Sequence, residues 1–251
     1  MLSDEQLMRY SRQLLLNDFD VAGQEALQNS RVLVVGLGGL GCPAALYLAA
    51  AGVGQLLLAD GDEVELSNLQ RQIAHGDADI GTNKAVSAAA SIRALNPEVK
   101  VQVLQQALTE DVLHSLLSGV DLVVDATDNY PIRFALNRAC IAHGLPLVSA
   151  AAVRSEGQLA VFDPLSGGPC YRCLYAEGEE HTALSCSESG VLAPLVGVLG
   201  SLQAMEAIKI LSAYGEPLRE KLLMVDLKTM EFRHLKLTAR TDCPDCGHLS
   251  A

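Results

Sequence analysis

Positive charge is scarce in this sequence: 18 lysines and arginines stand against 30 aspartates and glutamates, a formal net charge of −12. Such a chain lacks the basic footprint of a nucleic-acid binder, and any site for a polyanion must gather its few cations locally. A basic-then-apolar leader is missing from residues 1–10, so no secretory signal is expected and the expected location is the cytoplasm. Internal repeats and low-complexity tracts are absent, and so is tryptophan, whose absence excludes nothing. The 251 residues, 49% hydrophobic and 19% charged, suffice for one large soluble domain without disulfide staples. Seven cysteines, an odd number with no secretory signal, fit a reducing compartment in which C-x-x-C pairs do metal or redox work.

Charge is also absent from all of residues 32–59, a run long enough to suggest a membrane span. Six glycines, Pro43 and Gln55 interrupt it, and a spanning helix should not be broken so often. The run reads instead as strand (32–35), glycine loop, helix (41–51) and strand (56–59). Gly36, Gly38 and Gly41 form G-x-G-x-x-G, with Gly39 added. In that motif glycines serve a tight turn, close approach of backbone to a phosphate, and close helix–strand packing. The helix N-terminus then faces whatever sits over the loop with its N–H groups and positive dipole end. Asp60 ends the second strand, where a ribose-binding acid belongs. These features describe a nucleotide site, and a plain NAD(P) fold satisfies them as well as an ATP site does.

Ser3 and Gln6 make a capping-box start to a helix expected to reach residue 16. After the polar segment 61–72, helices are expected over 82–95 (capped by Thr82), 109–117 and 129–142, and strands over 99–104, 121–124 and 146–150. This alternation predicts a parallel, doubly wound sheet, whose ligands sit beyond the carboxyl ends of the strands. Asp60, the 61–72 loop and residues 125–129 should therefore share one crevice. From Gly157 the rhythm changes: strands are expected over 158–162, 222–227 and 231–237, around an irregular stretch at 169–189. An apolar helix over 191–211 is expected to be interrupted by Pro194, Gly197 and Gly200 and to lie buried or at an interface. The fold class is thus α/β, a Rossmann-like doubly wound parallel sheet extended by antiparallel strands in the C-terminal half.

Cys170-x-x-Cys173 and Cys243-x-x-Cys246 supply four thiolates, the ligand set of a closed tetrahedral Zn²⁺ site. The long separation means that a metal would tie a distant loop to the C-terminus; a thioredoxin-like redox pair is the rival, but no βαβ start precedes either motif. Arg71 and Lys84 fall on segments expected to share the crevice. Singly each reads as a surface charge; together they favour ATP, whose cleavage builds charge on phosphoryl oxygens, over hydride transfer at a nicotinamide. Asp128 is a candidate Mg²⁺ ligand or, equally, a helix N-cap. Cys42 and Cys140 read as small core residues.

The ordered set GLGGLGC (36–42), SNLQRQ (67–72), ATDN (126–129), CYRC (170–173), GSLQAMEAIK (200–209) and CPDC (243–246) resembles the MoeB/ThiF/HesA family. These are bacterial relatives of ubiquitin-activating enzymes, and the chain is closest to the MoeB branch. The resemblance covers nearly the whole chain. It implies ATP-dependent adenylation of the C-terminal glycine of a small ubiquitin-like sulfur carrier, with release of pyrophosphate, for molybdopterin or thiamine biosynthesis. It implies a single adenylation domain: an N-terminal helical arm (1–30), a nucleotide-binding half (31–150) and a carrier-binding, zinc-bearing half (151–251). By the same resemblance Gly36, Gly38, Gly39, Gly41, Ser67, Asn68, Leu69, Gln70, Arg71, Lys84, Thr127, Asp128 and Asn129 would form the ATP·Mg²⁺ site, and Asp60 would bind the ribose. Arg12, in RYSRQ, would reach the phosphates across a homodimer interface, and the four cysteines would bind structural zinc. Cys186 would be a covalent attachment point for the carrier or a bystander; no base is visible beside it. The carrier's Gly-Gly tail is expected near residues 154–157 and 186, and a separate protein is expected to donate sulfur. An NAD-dependent oxidoreductase and a non-catalytic nucleotide-binding scaffold are the alternatives.

Overall fold

A computed structural model describes residues 1–106, 108–178 and 189–250. Eight strands form one sheet in the order β3-β2-β1-β4-β5-β6-β7-β8. The strands are β1 (Arg31–Val35), β2 (Gln55–Ala59), β3 (Lys100–Leu104), β4 (Leu122–Asp125), β5 (Leu147–Val153), β6 (Glu156–Phe162), β7 (Lys221–Asp226) and β8 (Glu231–Lys236). The first five are parallel, and β5 to β8 pair antiparallel. This is the expected class, and the order reverses between β1 and β4.

The uninterrupted apolar runs of the central strands follow from burial on both faces. Val32, Val34, Leu56 and Leu58 point into one core, and Leu33, Val35, Leu57 and Val123 into the other. Helices α4 (Gly41–Ala51), α5 (Lys84–Leu95) and α9 (Ala193–Ser212) cover the first face; α6 (Glu110–Leu116) and α7 (Tyr130–His143) cover the second.

Several local expectations change. The first helix breaks at Tyr10 into α1 (Asp4–Arg9) and α2 (Ser11–Leu14). Tyr10 turns its ring inward, where its hydroxyl accepts a hydrogen bond from Asn96 Nδ2 at 2.9 Å. A third helix in the arm, α3 (Asp20–Asn29), buries only Gly23, Gln24 and Leu27, too few apolar residues to show as a stripe. The cap of α5 is Asn83 rather than Thr82: its Oδ1 accepts from the Ala85 and Val86 N–H groups. The segment after Pro169 contains a short helix, α8 (Tyr171–Leu174).

Helix α9 is the one described helix long and apolar enough to cross a membrane, yet it lies against α4 and strands β4 to β6. It runs unbroken through Gly197 and Gly200. Gly200 is there for close approach: a Cβ would sit 2.2 Å from the Leu40 carbonyl oxygen and 2.5 Å from Pro43 Cγ. Gly200→Ala must push α9 away from the first turn of α4. A loss of about 1–3 kcal/mol is expected for such overpacking, read as a lower urea midpoint at fixed protein concentration. An unchanged midpoint would mean that the helix crossing has slack.

Candidate functional site

A cleft of about 1040 Å³ opens beyond the carboxyl ends of the parallel strands. It lies where β1 and β4 part, the place a doubly wound sheet reserves for ligands. Its floor is the turn from β1 into α4. Gly41 lies so close to the end of β1 that a Cβ there would be 1.8 Å from the Gly36 carbonyl oxygen. No side chain caps α4; the Cys42 N–H is taken by the Gly38 carbonyl at 3.0 Å and Pro43 has none, which leaves the N–H groups of Leu40 and Gly41 for an anion.

On one wall stands Asp60, whose Oδ2 accepts from the Leu37 N–H at 2.6 Å and whose Oδ1 accepts from the Asp62 N–H at 2.9 Å. Burial pushes its carboxyl above the usual range, while these two donors and Lys84 pull it back. Asn83 Nδ2 donates to the carbonyls of Asp60 and Asp62, fixing this turn to the start of α5. Lys84 follows, buried along its stem, with Nζ 2.8 Å from the exposed carboxylate of Asp62. Arg71 lines the cleft and donates from Nη1 to the Ser67 carbonyl at 3.0 Å. It pairs with no carboxylate among the described residues. Asn68 is buried beside it.

The opposite wall is the β4–α7 connection. Asp128 projects into the cleft with no hydrogen bond or ion pair among the described residues. Asn129, not Asp128, caps α7, accepting from the Ile132 N–H at 3.4 Å. Beneath it lies a buried network. Asp125, fully buried, accepts from the Thr127 N–H (3.0 Å), the Thr127 hydroxyl (2.7 Å) and the Ser149 hydroxyl (2.6 Å). Arg133 Nε stands 3.7 Å from the same carboxylate, and its Nη2 donates to the carbonyls of Thr127 and Ala150.

The four cysteines of the two C-x-x-C pairs meet at the far end of α7. Their sulfurs lie within 4.8 Å of one another. Cys170 is 3.9 Å from Cys173 and 3.6 Å from Cys243, and Cys173 is 3.5 Å from Cys246. Four thiolates about 2.3 Å from one tetrahedral ion stand roughly 3.8 Å apart, so the donor set fits such a metal. Asn137 of α7 ties both knuckles to the domain: it accepts from the Tyr171 N–H at 2.8 Å and donates to Asp245 at 2.9 Å.

Residues 10–245, most of the chain, match the ThiF family. The chain belongs to the ThiF family. It is 52% identical over 246 residues to the molybdopterin-synthase adenylyltransferase of Escherichia coli (strain K12), with 98% of each chain covered. It is 46% identical over 250 residues to the sulfur carrier protein ThiS adenylyltransferase of the same organism, covering 100% of this chain and 99% of that one. A crystal structure of E. coli MccB with ATP superposes with a TM-score of 0.83 at 25% identity, over 95% of this chain and 73% of that chain. The resemblance carried by the ordered motifs is therefore a family membership.

In this ThiF-family chain the cleft gathers Gly36, Gly38, Gly39, Asp60, Asn68, Arg71, Lys84, Thr127, Asp128 and Asn129. Gly41 lies behind the loop, and Ser67, Leu69 and Gln70 do not line the cleft. Arg12 sits exposed on α2, outside it. Cys186 lies outside the described residues. Cys42 and Cys140 are core residues as expected, and burial pushes the Cys42 thiol up to about 12. The expectation that residues 125–129 face the crevice fails at Asp125, which is sealed beneath the wall by its hydrogen bonds. Gln72, inside the expected 61–72 segment but given no role of its own, lines the cleft with Oε1 unpartnered, and Arg133 was missed. Gln72 closes the SNLQRQ motif and Asp125 precedes ATDN, so proximity to a motif was their available signal. Arg133 reads as one more helix charge until its burial is seen.

The two aspartates of this wall should behave oppositely. Asp125→Ala strands a buried guanidinium and should cost about 3–5 kcal/mol. Asp128→Ala should stay within about 0.5 kcal/mol, as exposed sites do. Urea unfolding of both variants tests the assignment; equal losses would contradict it.

Proposed function

We propose that this protein is an ATP-dependent adenylyltransferase that activates the C-terminal glycine of a small ubiquitin-like sulfur carrier. The observation that carries the reading is the company kept by the glycine loop: Arg71, Lys84 and the unpaired Asp128 line the same cleft. Hydride transfer to a nicotinamide has little use for that set, so an NAD-dependent oxidoreductase is not favoured. Cleaving a triphosphate needs it. A scaffold without chemistry gives no reason to hold an unpaired carboxylate opposite a polyphosphate cradle. The 52% identity to a molybdopterin-synthase adenylyltransferase across 98% of both chains supports the same reading, with a molybdopterin-type carrier as the first choice and a thiamine-type carrier as the second.

In this reading the ribose hydroxyls bind Asp60, whose two oxygens each keep a lone pair beyond the backbone donors they already hold. The phosphates lie over Gly38, Gly39 and the uncapped start of α4, beside Asn68 and Arg71. Lys84 turns from Asp62 toward them. Asp128 holds Mg²⁺, which neutralises phosphate charge when bound. The carrier's terminal carboxylate attacks the α-phosphorus; its new O–P bond forms as the bond to the β-phosphate bridging oxygen breaks and pyrophosphate leaves. A carboxylate is a weak nucleophile repelled by the phosphates, so alignment and charge neutralisation supply the acceleration. The tail reaches the α-phosphate along the wall formed by Ala151, Ala152 and Gly157.

A homodimer completes the site, with Arg12 of a second copy reaching the phosphates. The four cysteines hold a structural Zn²⁺ that clamps the C-terminus to α7. Four reduced thiols and an ATP supply suit the cytoplasm, and a separate protein donates sulfur after adenylation.

ATP–pyrophosphate exchange tests the activity. Exchange should require a carrier, and Arg71→Ala or Asp128→Ala should reduce it about 10²–10³-fold, the scale for losing one charge-stabilising group. Mixing Arg12→Ala with Asp128→Ala subunits should restore exchange, because one of the two sites then has both residues. No exchange with either carrier type from folded protein would defeat the adenylation reading, and no recovery on mixing would defeat the shared site. Metal analysis should find about one zinc per chain, released with loss of structure by a strong chelator; folded protein free of metal would rule the clamp out.

A further inference from the structure

Beneath the glycine loop lies a buried polar group that the chemistry above does not use. His75 is 7% exposed and does not line the cleft. Its Nε2 is 2.9 Å from the Leu37 carbonyl oxygen, and its Nδ1 is 2.8 Å from the Ser87 hydroxyl. A carbonyl can only accept, so Nε2 carries a proton, and in the neutral ring Nδ1 takes the Ser87 hydroxyl proton. Cys42 supplies a second, weaker donor to the same carbonyl, S–H to O at 3.2 Å.

The Leu37–Gly38 peptide is trans, since no cis peptide bond occurs among the described residues. In a planar trans peptide the C=O of one residue and the N–H of the next point in opposite directions. A Leu37 carbonyl held down into the core therefore turns the Gly38 N–H up toward the cleft. That N–H has no partner among the described residues. Packing does not demand a glycine at 38: a Cβ there would meet nothing nearer than Gln72 Nε2 at 3.6 Å. A group that must come close from the cleft side does demand one. The preceding N–H, of Leu37, is fixed by Asp60, so both polar groups of this loop residue are held.

Resting on the nucleotide reading above, we propose that His75 is a positioning residue for phosphate binding: by clamping the Leu37 carbonyl it aims the Gly38 N–H at the phosphates of bound nucleotide. Ser87 orients the imidazole for this task. The role is specific to the phosphate end of the ligand, because the clamp acts on no group near the base.

Equilibrium binding of ATP and of adenosine to the full chain separates this role from a merely structural one. His75→Leu removes the donor and should weaken ATP roughly tenfold or more, the scale of a hydrogen bond to a charged group, with adenosine affinity unchanged. His75→Gln, whose amide can donate from about the same place as Nε2, should hold ATP within roughly threefold. Ser87→Ala should fall between them and carries the test if His75→Leu does not fold. Equal weakening of ATP and adenosine, or unchanged ATP binding in His75→Leu, would overturn the proposal while leaving the nucleotide site standing. Wild-type protein that binds neither ligand would overturn the nucleotide reading and this proposal with it.

Discussion

The close contact between the end of β1 and the beginning of α4 is the constraint on which the rest of this structure depends. Gly41 packs onto the Gly36 carbonyl at a distance no side chain would permit. That contact lets a helix begin within one turn of a central strand, its N-terminus aimed across the point where the sheet order reverses. Other elements are built around it. Helix α9 crosses at Gly200, against Leu40, and holds the loop from one face. Asp60 and His75 hold the two polar groups of Leu37 from below and beside. A loop so fixed meets an anion with little reorganisation left to make, which is the form electrostatic preorganisation takes in a backbone.

Charge is distributed by the same economy. The cleft contains Asp60, Asp62, Glu63, Glu65, Asp128 and Glu156 against Arg71, Lys84 and Arg133. Arg133 is committed to Asp125 and to backbone carbonyls, and Lys84 rests on Asp62. A site this acidic repels a bare polyphosphate, which is the physical reason for a divalent cation at Asp128 and a further arginine from a second copy in the proposed reaction. The buried Asp125 network has another purpose. It fixes the 126–129 turn from beneath, so that Asp128 can stand unpaired on top without the turn collapsing toward it.

Helix α7 joins two distant parts of the molecule. Its first turn carries Arg133 under the cleft, and its third carries Asn137 between the two cysteine knuckles. The thiols of Cys170 and Cys243, 73 residues apart in sequence, thereby come to rest against the helix that frames the nucleotide wall.

Short-range and periodic features were legible without coordinates. The strand–loop–helix of residues 31–60 follows from glycine spacing and from apolar runs too continuous for a half-exposed strand. The parallel-to-antiparallel change follows from the end of the strict strand–helix alternation after Gly157, and the cysteine cluster follows from two C-x-x-C pairs because four thiols are chemically a set. Features set by packing were not legible. Tyr10 breaks the first helix because a hydroxyl acceptor for Asn96 lies inward, and nothing local says so. Gly200 looks like a helix breaker until another backbone is found 2.2 Å from where its Cβ would be. Asp125 immediately precedes the motif that holds Asp128, yet one is sealed at the end of the central strand β4 and the other faces the cleft. The sequence by itself determined which groups the protein possesses and the order in which secondary structure lays them out. Only the tertiary structure decided which carboxylate is buried, which cation is spare and which way a peptide plane faces, because those depend on contacts between residues far apart in the chain.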